Sequence, residues 1–353
     1  MPPAQLLEQL LEVVTQQDAS DLHLVVGRPP LVRVRRELLP LVKMKELTQE
    51  DVQGMLKEMV NERQYALFLE EMELDFSHKV SNVLRFRGNA YVEDGQVGIA
   101  MRSIGQVRPF EELNLPPILK DFALRKQGFF LVVGPVGQGK STTLAAMIDH
   151  INATRRENIV TIENPVEYIF EDKNSVINQR AVGVDTKSFE SALHSVFRQD
   201  VNVIMIGEMR SLETIRTAVT AAETGHLVLS TLHTNNASQT VDRIIDSFPA
   251  SQQDQIRTQL AGSLQGIFSQ RLVPTVSGEL MPAYEILVKN NAVANLIRDK
   301  RTHEIDTVIE TGHEEGMISM NQSLMALVRA GHITRETAQQ YSLNPQGLSR
   351  MLT

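Results

Sequence analysis

Apolar residues recur every three or four positions at the start of the chain, which predicts a first amphipathic helix. The residues of this stripe are Leu6, Leu7, Leu10, Leu11 and Val14. Short alternating runs then predict strands over residues 20–26, 31–34, 74–76, 83–92 and 97–104. Between these runs, Thr48 with Asp51, and later Asn61, have the side chains and spacing of helix N-caps. The first part of the chain is therefore predicted to be a small mixed α+β domain.

The pattern changes across residues 105–117, which contain Pro109, Pro116 and Pro117 and are predicted to be a linker. Beyond them, short apolar runs alternate with helical stretches, which predicts an α/β domain with a parallel sheet. Its strands are predicted over residues 128–133, 158–162, 203–206 and 227–231. We therefore expect an N-terminal domain over residues 1–104 and an α/β domain with a C-terminal helical region over 118–353.

Composition narrows the class of protein. The 353 residues are 42% hydrophobic and 22% charged, as is usual for a soluble globular chain. There is no cysteine, which excludes disulfides, thiolate zinc sites and a cysteine nucleophile. The net charge of −8 argues against a protein that coats nucleic acid, so no nucleic-acid partner is expected. No run approaches the ~18 apolar residues of a membrane span. The first residues also lack the basic region of a signal peptide, and we expect a cytoplasmic protein.

The stretch GPVGQGKSTT, from Gly134 to Thr143, fits the phosphate-loop pattern G-x-x-x-x-G-K-[ST]. A predicted buried strand precedes it and a predicted helix follows it, which is the context that the pattern requires. Glycines let backbone N–H groups turn toward phosphate oxygens, and the helix N-terminus adds its positive end. The residues predicted to bind nucleotide here are Gly134, Pro135, Val136, Gly137, Gln138, Gly139, Lys140, Ser141 and Thr142.

Within this loop, Lys140 is predicted to reach the β- and γ-phosphates of ATP, and the Ser141 hydroxyl to ligate Mg²⁺. Two acids stand at the ends of predicted strands, where the sites of α/β proteins are built. Glu163 follows Ile162, and Glu208 comes two residues after Ile206. A carboxylate at either place can hold Mg²⁺ or orient the attacking water, so both are candidate catalytic residues. Taken alone, either could instead be an ordinary acid at a helix N-terminus.

Two histidines and three arginines are weaker candidates for contact with the nucleotide. His226 and His233 flank the predicted strand 227–231, and His233 is the better candidate for a group that senses the γ-phosphate. A buried structural imidazole is the usual explanation for such a residue. Arg85 and Arg87 share one face of a predicted strand, and Arg102 lies on the next one. They could bind phosphate as an arginine finger does, although from spacing alone a solvated basic face is the more common case.

Together, these motifs resemble those of the secretion and pilus motor ATPases, most of all the type IV pilus retraction ATPases of the PilT and PilU type. The resemblance covers nearly the whole chain. The segments that carry it in the second domain are GPVGQGKSTTLAAM, IVTIENPVEYIFED, INQRAVGVDTKSF, FRQDVNVIMIGEMRSLETI and AAETGHLVLSTLHTNNA. Nearer the ends of the chain, SDLHL, PPLVRV, LRFRGNAYV and ANLIRDKRTHEI also fit.

The resemblance implies a homohexameric ring that couples ATP hydrolysis to pilus retraction and twitching motility. Each subunit would have a PAS-like N-terminal domain and a RecA-like ATPase domain, with nucleotide bound between the two. Glu163 matches the family's catalytic glutamate, Glu208 its atypical Walker B glutamate, and His226 with His233 its histidine box. Arg85, Arg87 and Arg102 match arginines that turn toward nucleotide, which raises the arginine-finger hypothesis above the solvated face. The implied partners are an inner-membrane pilus platform protein and a second pilus ATPase, at the cytoplasmic side of the inner membrane.

Several positions depart from the family pattern, and two alternative functions are considered. The departures are Val136 and Gln138 in the phosphate loop, Asn164 in place of an aspartate, Ala181 in place of an acid, and Ala294 in place of an arginine. One alternative is a pilus extension or type II secretion ATPase, which usually carries a four-cysteine zinc element that this chain lacks. The other is an accessory motor subunit that hydrolyses ATP weakly, which Asn164 and Ala294 favour.

Overall fold

The computed structural model describes residues 2–34, 37–80, 85–171 and 173–352. Residues Val83 and Leu84 of the strand predicted over 83–92 lie outside this part of the chain. The contacts divide the chain into two compact units. The first unit comprises Met1–Gln106, Asn164–Glu171 and Ala181–Asp185, and the second comprises Val107–Glu163, Asp172–Arg180 and Thr186–Thr353.

The first unit is a six-stranded antiparallel sheet with three helices. The strand order is β3-β2-β1-β6-β5-β4. The strands are β1 (Asp21–Leu24), β2 (Leu31–Val34), β3 (Glu37–Pro40), β4 (Glu73–Lys79), β5 (Arg85–Glu93) and β6 (Gln96–Ile104). The helices are α1 (Pro3–Gln16), α2 (Gln49–Met59) and α3 (Glu62–Glu71). Strand β3 was not predicted, because its four residues are all exposed and show no alternation between apolar and polar side chains.

Alternation along the strands gives this sheet one apolar and one polar face. Leu22, Met101 and Phe76 point to the buried face, where they join the leucines of α1 in one core. Their neighbours on the same strands point to the other face. There Asp21 pairs with Arg102 across β1 and β6, and Arg102 pairs with Arg87 across β6 and β5. The polar face of the sheet therefore carries a row of charged side chains.

The second unit is built on a seven-stranded sheet with the order β13-β12-β7-β11-β10-β8-β9. Its strands are β7 (Gly128–Val133), β8 (Asn158–Glu163), β9 (Val176–Ala181), β10 (Val203–Ile206), β11 (Leu227–Leu232), β12 (Leu264–Pro274) and β13 (Leu280–Val288). Strands β7, β8, β10 and β11 are parallel neighbours, as the sequence predicts. Strand β12 continues the parallel set beside β7, and β13 closes the edge antiparallel to β12, so the sheet is mixed.

Helices pack against this sheet and extend beyond it. They are α4 (Ile118–Ala123), α5 (Lys140–Thr154), α6 (Phe189–Val196), α7 (Leu212–Glu223), α8 (Ala237–Asp246), α9 (Ala250–Ser263), α10 (Asn291–Arg298), α11 (Ile305–Thr311), α12 (Met320–Arg329), α13 (Arg335–Tyr341) and α14 (Pro345–Leu352), with short 3-10 turns at Thr302–Glu304 and His313–Glu315. Every residue of β7, β10 and β11 is buried, as expected of central parallel strands that are covered on both faces. Within the described residues, no helix is both long and apolar enough to cross a membrane.

Side chains cap the helices at the places that the sequence indicates. Thr48 accepts from the backbone N–H of Asp51 at 3.2 Å, and the Asp51 carboxylate accepts from the backbone N–H of Thr48 at 3.0 Å. Asn61 and Gln64 form the same reciprocal pair at the start of α3. Each pair satisfies two backbone donors that the helix itself leaves unpaired. The predicted caps of α2 and α3 are confirmed.

The cap of α2 gives a stability prediction. Thr48→Ala removes the side-chain acceptor, and we expect the free energy of unfolding of the first unit to fall by about 1 kcal/mol in urea denaturation. Thr15→Ala is the matched control, because the Thr15 hydroxyl only donates to the Leu11 carbonyl inside α1. That variant is expected to be as stable as the parent. An unchanged unfolding midpoint for Thr48→Ala would contradict the capping role.

Candidate active site

The candidate site lies at the carboxyl ends of four neighbouring strands. Val133 of β7 pairs with Leu232 of β11. On the other side of β11, Ile206 of β10 pairs with Ser230 of β11. Ile206 also pairs with Ile162 of β8. The residues that follow these ends are the phosphate loop, His233, Glu208 and Glu163, so the sheet collects at one edge candidates that are up to about a hundred positions apart in sequence. This edge is where α/β proteins place their sites.

The phosphate loop connects β7 to α5 and depends on glycine at defined points. Gly134, Gly137 and Gly139 have φ angles of 148°, 76° and 77°, which side-chain-bearing residues rarely adopt. At Gly134 there is also no room, because a Cβ there would lie 2.3 Å from the carbonyl oxygen of Gln270. Gly139 is the N-cap of α5, so the loop leads directly into a helix N-terminus. This is the backbone form that suits an anion.

Lys140 lies inside the phosphate loop and bonds to the loop's own backbone. Its side chain is buried, and Nζ donates to the carbonyl oxygens of Gly134 and Pro135, each at 2.8 Å. Nζ also lies 3.2 Å from Nδ1 of His233. The ammonium is thus held by two carbonyl dipoles and one imidazole nitrogen. A polyphosphate bound in the loop would offer this cation stronger, anionic acceptors.

His233 connects Lys140 to Glu208. Because its Nδ1 faces an ammonium, that nitrogen is the acceptor and the proton sits on Nε2, which lies 3.7 Å from Glu208 Oε2. Burial and then the nearby Lys140 charge lower the pKa of His233, and Glu208 opposes them only in part. The imidazole is therefore neutral at pH 7. The geometry joins the loop to the end of β10 through one side chain.

Glu208 and Glu163 occupy different surroundings. Glu208 is 20% exposed, and its Oε2 accepts from the guanidinium Nε of the exposed Arg210 at 2.8 Å. Glu163 is only 5% exposed, and its Oε1 accepts from the Thr161 hydroxyl at 2.6 Å and from Gln179 Nε2 at 3.3 Å. These donors fix the orientation of the buried carboxyl group. The first acid suits a metal and the second suits an oriented general base.

The structure does not bring His226 to the phosphate loop. His226 precedes β11, and its carbonyl accepts from Gly128 N at the amino end of β7. The six residues of β11 lie between it and His233, which places the two histidines about 23 Å apart along the strand. Its ring nitrogen Nδ1 lies 3.0 Å from the Ala221 carbonyl oxygen, and its ring packs edge-on against Phe197. The predicted nucleotide contact of His226 therefore has no support at this edge of the sheet.

The predicted arginines lie on the polar face of the first unit's sheet. Arg102 Nε donates to Asp21 Oδ1 at 2.8 Å, and Arg33 Nε lies 3.3 Å from the other oxygen of the same carboxylate. Arg87 Nη1 lies 3.4 Å from Glu167 Oε1. Burial alone would raise the pKa of Asp21, but hydrogen bonds from Ser20 and Arg102 outweigh it and hold that pKa below its usual value.

Arg87 and Arg102 face each other directly across two antiparallel strands. Like charges in such positions repel. The Arg102 side chain is 71% exposed and uses only Nε in its bond to Asp21. Among the described residues, its two terminal nitrogens have no hydrogen-bond partner, and such a pair fits the oxygens of a phosphate. Arg85 lies on the same strand as Arg87 and on the same face, whereas Phe86 between them is fully buried.

Three contacts from β12 complete the loop's surroundings, and sequence reasoning missed all of them. The Thr143 hydroxyl donates to Gln270 Oε1 at 2.6 Å, and Gln138 Oε1 accepts from the backbone N–H of Leu272 at 2.6 Å. The third is the close approach of the Gln270 carbonyl to Gly134. Position 270 lies in the polar run Ser269-Gln270-Arg271, which gave no sequence signal of a site. A glutamine there has no fixed meaning without knowledge of the strand order.

The donor set fits a magnesium nucleotide. Ser141 is the second residue of α5, and Glu208 comes two residues after the end of β10. No group of three or more metal-ligating acids, histidines or cysteines is found among the described residues. Mg²⁺ bound with a nucleotide does not need one, because it takes one or two protein oxygens and completes its octahedron with phosphate and water oxygens.

The chain is similar to known proteins over nearly its whole length. The type IV pilus retractation ATPase PilT of Pseudomonas aeruginosa is 41% identical over 96% of this chain and 99% of its own length. The type IV pilus ATPase PilU of the same species is 41% identical over 98% of this chain and 91% of its own length. The crystal structure of the pilus retraction motor PilT with bound ADP superposes with a TM-score of 0.90, at 44% identity, over 97% of this chain and 98% of that one.

Residues 110–342 match the family described as Type II/IV secretion system protein. This span includes the phosphate loop, both strand-end glutamates and the strand β12 that supports the loop. The match covers well over half of the chain, and two relatives above 40% identity are covered almost completely. The chain therefore belongs to the Type II/IV secretion system protein family.

Proposed function

We propose that the chain is an ATPase that assembles as a homohexamer and drives the retraction of type IV pili. The observation that carries the proposal is the contact of Lys140 with its own loop and with His233, at the edge where Glu163 and Glu208 also stand. The relatives named for pilus retraction are similar to this chain over nearly its whole length. The site would act on the cytoplasmic side of the inner membrane, against a pilus platform protein and beside a second pilus ATPase.

ATP hydrolysis needs positioning and electrostatic stabilisation, and no covalent intermediate. In this chain the backbone N–H groups from Gly137 to Thr142 would bind the phosphates, and Lys140 would move its hydrogen bonds from the loop carbonyls to the β- and γ-phosphates. Bound Mg²⁺, held by Ser141 and Glu208, would neutralise phosphate charge. Glu163 would accept a proton from the attacking water, and Thr161 with Gln179 would hold its carboxylate in the required direction.

His233 gives the mechanism a means of sensing the γ-phosphate. Its Nδ1 accepts from Lys140 in this structure, so a lysine that turns to phosphate releases the imidazole. Glu208 lies on the other side of the ring, and its carboxylate would then accept a hydrogen bond from His233 Nε2. We infer that ATP binding and hydrolysis change the position of the loop that begins at His233, which leads into α8.

A weakly hydrolysing accessory subunit of a pilus motor is the second candidate. The observation that favours it is Asn164, an exposed amide directly after the buried Glu163, where the family has an aspartate. Ala294 lies on the buried side of α10, at a place where the family has an arginine. The ATPase rate of the purified chain without partners distinguishes the two candidates, because only the autonomous motor turns over at a substantial rate alone.

Lys140→Ala tests the proposal as a whole. We expect ATP hydrolysis to fall to background and pilus retraction to stop in cells that carry the variant, because the cation that would bind the phosphates is gone. Lys126→Ala is the matched control, since this lysine is exposed in the same unit. Hydrolysis is measured as phosphate release, and folding by circular dichroism. Normal turnover by a folded Lys140→Ala protein would exclude the loop as the site.

Glu163→Gln separates chemistry from binding. A glutamine carbonyl oxygen still accepts from Thr161 and Gln179, so the fold and ATP affinity are expected to stay close to those of the parent. Turnover is expected to fall by about 100-fold or more, because the amide is not a base for water. Glu279→Gln, in the exposed turn between β12 and β13, is the control. Loss of ATP binding in Glu163→Gln would instead assign this acid to the structure of the site.

Arg102→Ala tests whether the arginines on the polar face of the first unit's sheet, here called the arginine row, take part in hydrolysis. A phosphate-binding arginine of the finger type is worth about 10³-fold in rate, whereas an exposed charge pair contributes about 0–1 kcal/mol to stability. We therefore expect a steep fall in ATP turnover while the assembled size, measured by light scattering, is retained. Arg63→Ala, on the exposed side of α3, is expected to be silent. Parent-like turnover by Arg102→Ala would return the row to an ordinary basic surface.

A further inference from the structure

Strand β12 lies beside the phosphate loop, and Gln270 of this strand contacts the loop through both its backbone and its side chain. Gln270 is only 3% exposed. It follows Ser269, the last β12 residue in register with β7, so it lies where the loop leaves the sheet. Its carbonyl oxygen blocks any side chain at Gly134, and its Oε1 accepts from the Thr143 hydroxyl at 2.6 Å.

The Thr143 bond also sets the direction of the Gln270 amide. An acceptor for a hydroxyl must be the carbonyl oxygen, so Nε2 points the other way. Nε2 lies 3.1 Å from the place that a Cβ on Gly139 would occupy. The side chain thus spans the N-cap of α5 and the helix residue Thr143, whose own N–H donates to the Gly139 carbonyl. One buried side chain touches both ends of the turn that carries the phosphate-facing N–H groups.

We propose that Gln270 is a positioning residue for nucleotide binding, which acts through the Thr143 hydroxyl to fix the first turn of α5. The inference rests on the proposed nucleotide site at this loop, and it adds a residue from a strand that contributes nothing to the phosphate-loop pattern. Gln138 supports the same arrangement, because its side chain accepts from the backbone N–H of Leu272 two residues further along β12.

The expected signature is in affinity. The N–H groups of this turn would hold phosphates in the ground state and in the transition state alike, so a displaced turn raises Kd and KM with little change in kcat. A turn freed by loss of the Thr143–Gln270 hydrogen bond must be ordered again when nucleotide binds, and we expect this cost to weaken affinity about tenfold. A role limited to core packing would instead lower the unfolding midpoint and leave Kd unchanged.

The experiment is a double-mutant cycle on the Thr143–Gln270 hydrogen bond. Thr143→Val keeps the shape and removes the hydroxyl, and Gln270→Leu replaces the amide with an apolar side chain of similar size. Equilibrium titration with a fluorescent ADP analogue gives Kd for the parent, the two single variants and the double variant. We expect each single variant to bind about tenfold more weakly and the double variant to bind no worse than either, because all three lose the same interaction.

Two results would overturn the inference. Parent-like Kd in variants that merely melt earlier assigns Gln270 to packing alone. Additive losses, with Gln270→Leu weaker than Thr143→Val, assign Gln270 to direct contact with the nucleotide. Thr143→Ser retains the hydroxyl and must bind like the parent, and Gln270→Met replaces Gln270→Leu if the latter fails to fold. Thr217→Val, a buried threonine of α7, controls for loss of a hydroxyl elsewhere in the unit.

Because the readout is equilibrium binding of ADP, it does not require turnover or pilus retraction. A parent that binds ADP but neither hydrolyses ATP nor retracts pili contradicts the proposed motor function, and the cycle still decides the role of Gln270. A parent that hydrolyses ATP while all four proteins share one Kd leaves the motor function in place and rejects the positioning role.

Discussion

The site depends on where the Lys140 ammonium finds its acceptors. In this structure the cation is buried inside its own loop, where the carbonyl oxygens of Gly134 and Pro135 and the Nδ1 atom of His233 surround it. A buried charge needs such partners, since the cost of removing it from water is large. Phosphate oxygens bound in the loop would replace these weaker acceptors around the lysine. His233 would lose an interaction when that exchange takes place.

The sheet sets which residues can take part in this exchange. Parallel register places Val133, Leu232, Ile206 and Ile162 side by side, so the next residues along each strand meet at one edge. The same register places His226 at the far edge. Strand β12 adds the remaining wall, because it pairs with β7 up to the point where the loop begins. The contacts of Gln270 with Gly134 and Thr143 follow from that pairing.

Sequence reasoning predicted the parts of this site whose residue types have a local meaning. The glycines of the phosphate loop, the caps at Thr48 and Asn61, and the four central strands all follow from short-range pattern, and the structure has them in those places. Strands β9, β12 and β13 were missed. In β12, the polar residues Gln265, Ser269, Gln270 and Arg271 fall at no regular spacing, so nothing local identifies the strand. The role of Gln270 depends on strand order, which is a long-range property. His226 shows the same limit, because proximity in sequence to a strand does not say which of its ends faces the site.

The two units hold their charged side chains in different ways. In the second unit, Lys140 and Glu163 are buried and each is held by specific dipoles, so the fold fixes their orientation. Such preorganisation is what makes electrostatic stabilisation effective in catalysis. In the first unit, Arg87 and Arg102 stand opposite each other on a solvent-exposed face, where Asp21 and Glu167 each bond to only one of them. Water screens their repulsion, and an anion that bridges both would relieve it further. The first arrangement is suited to the chemical step itself, and the second to an anionic group that comes and goes during a cycle.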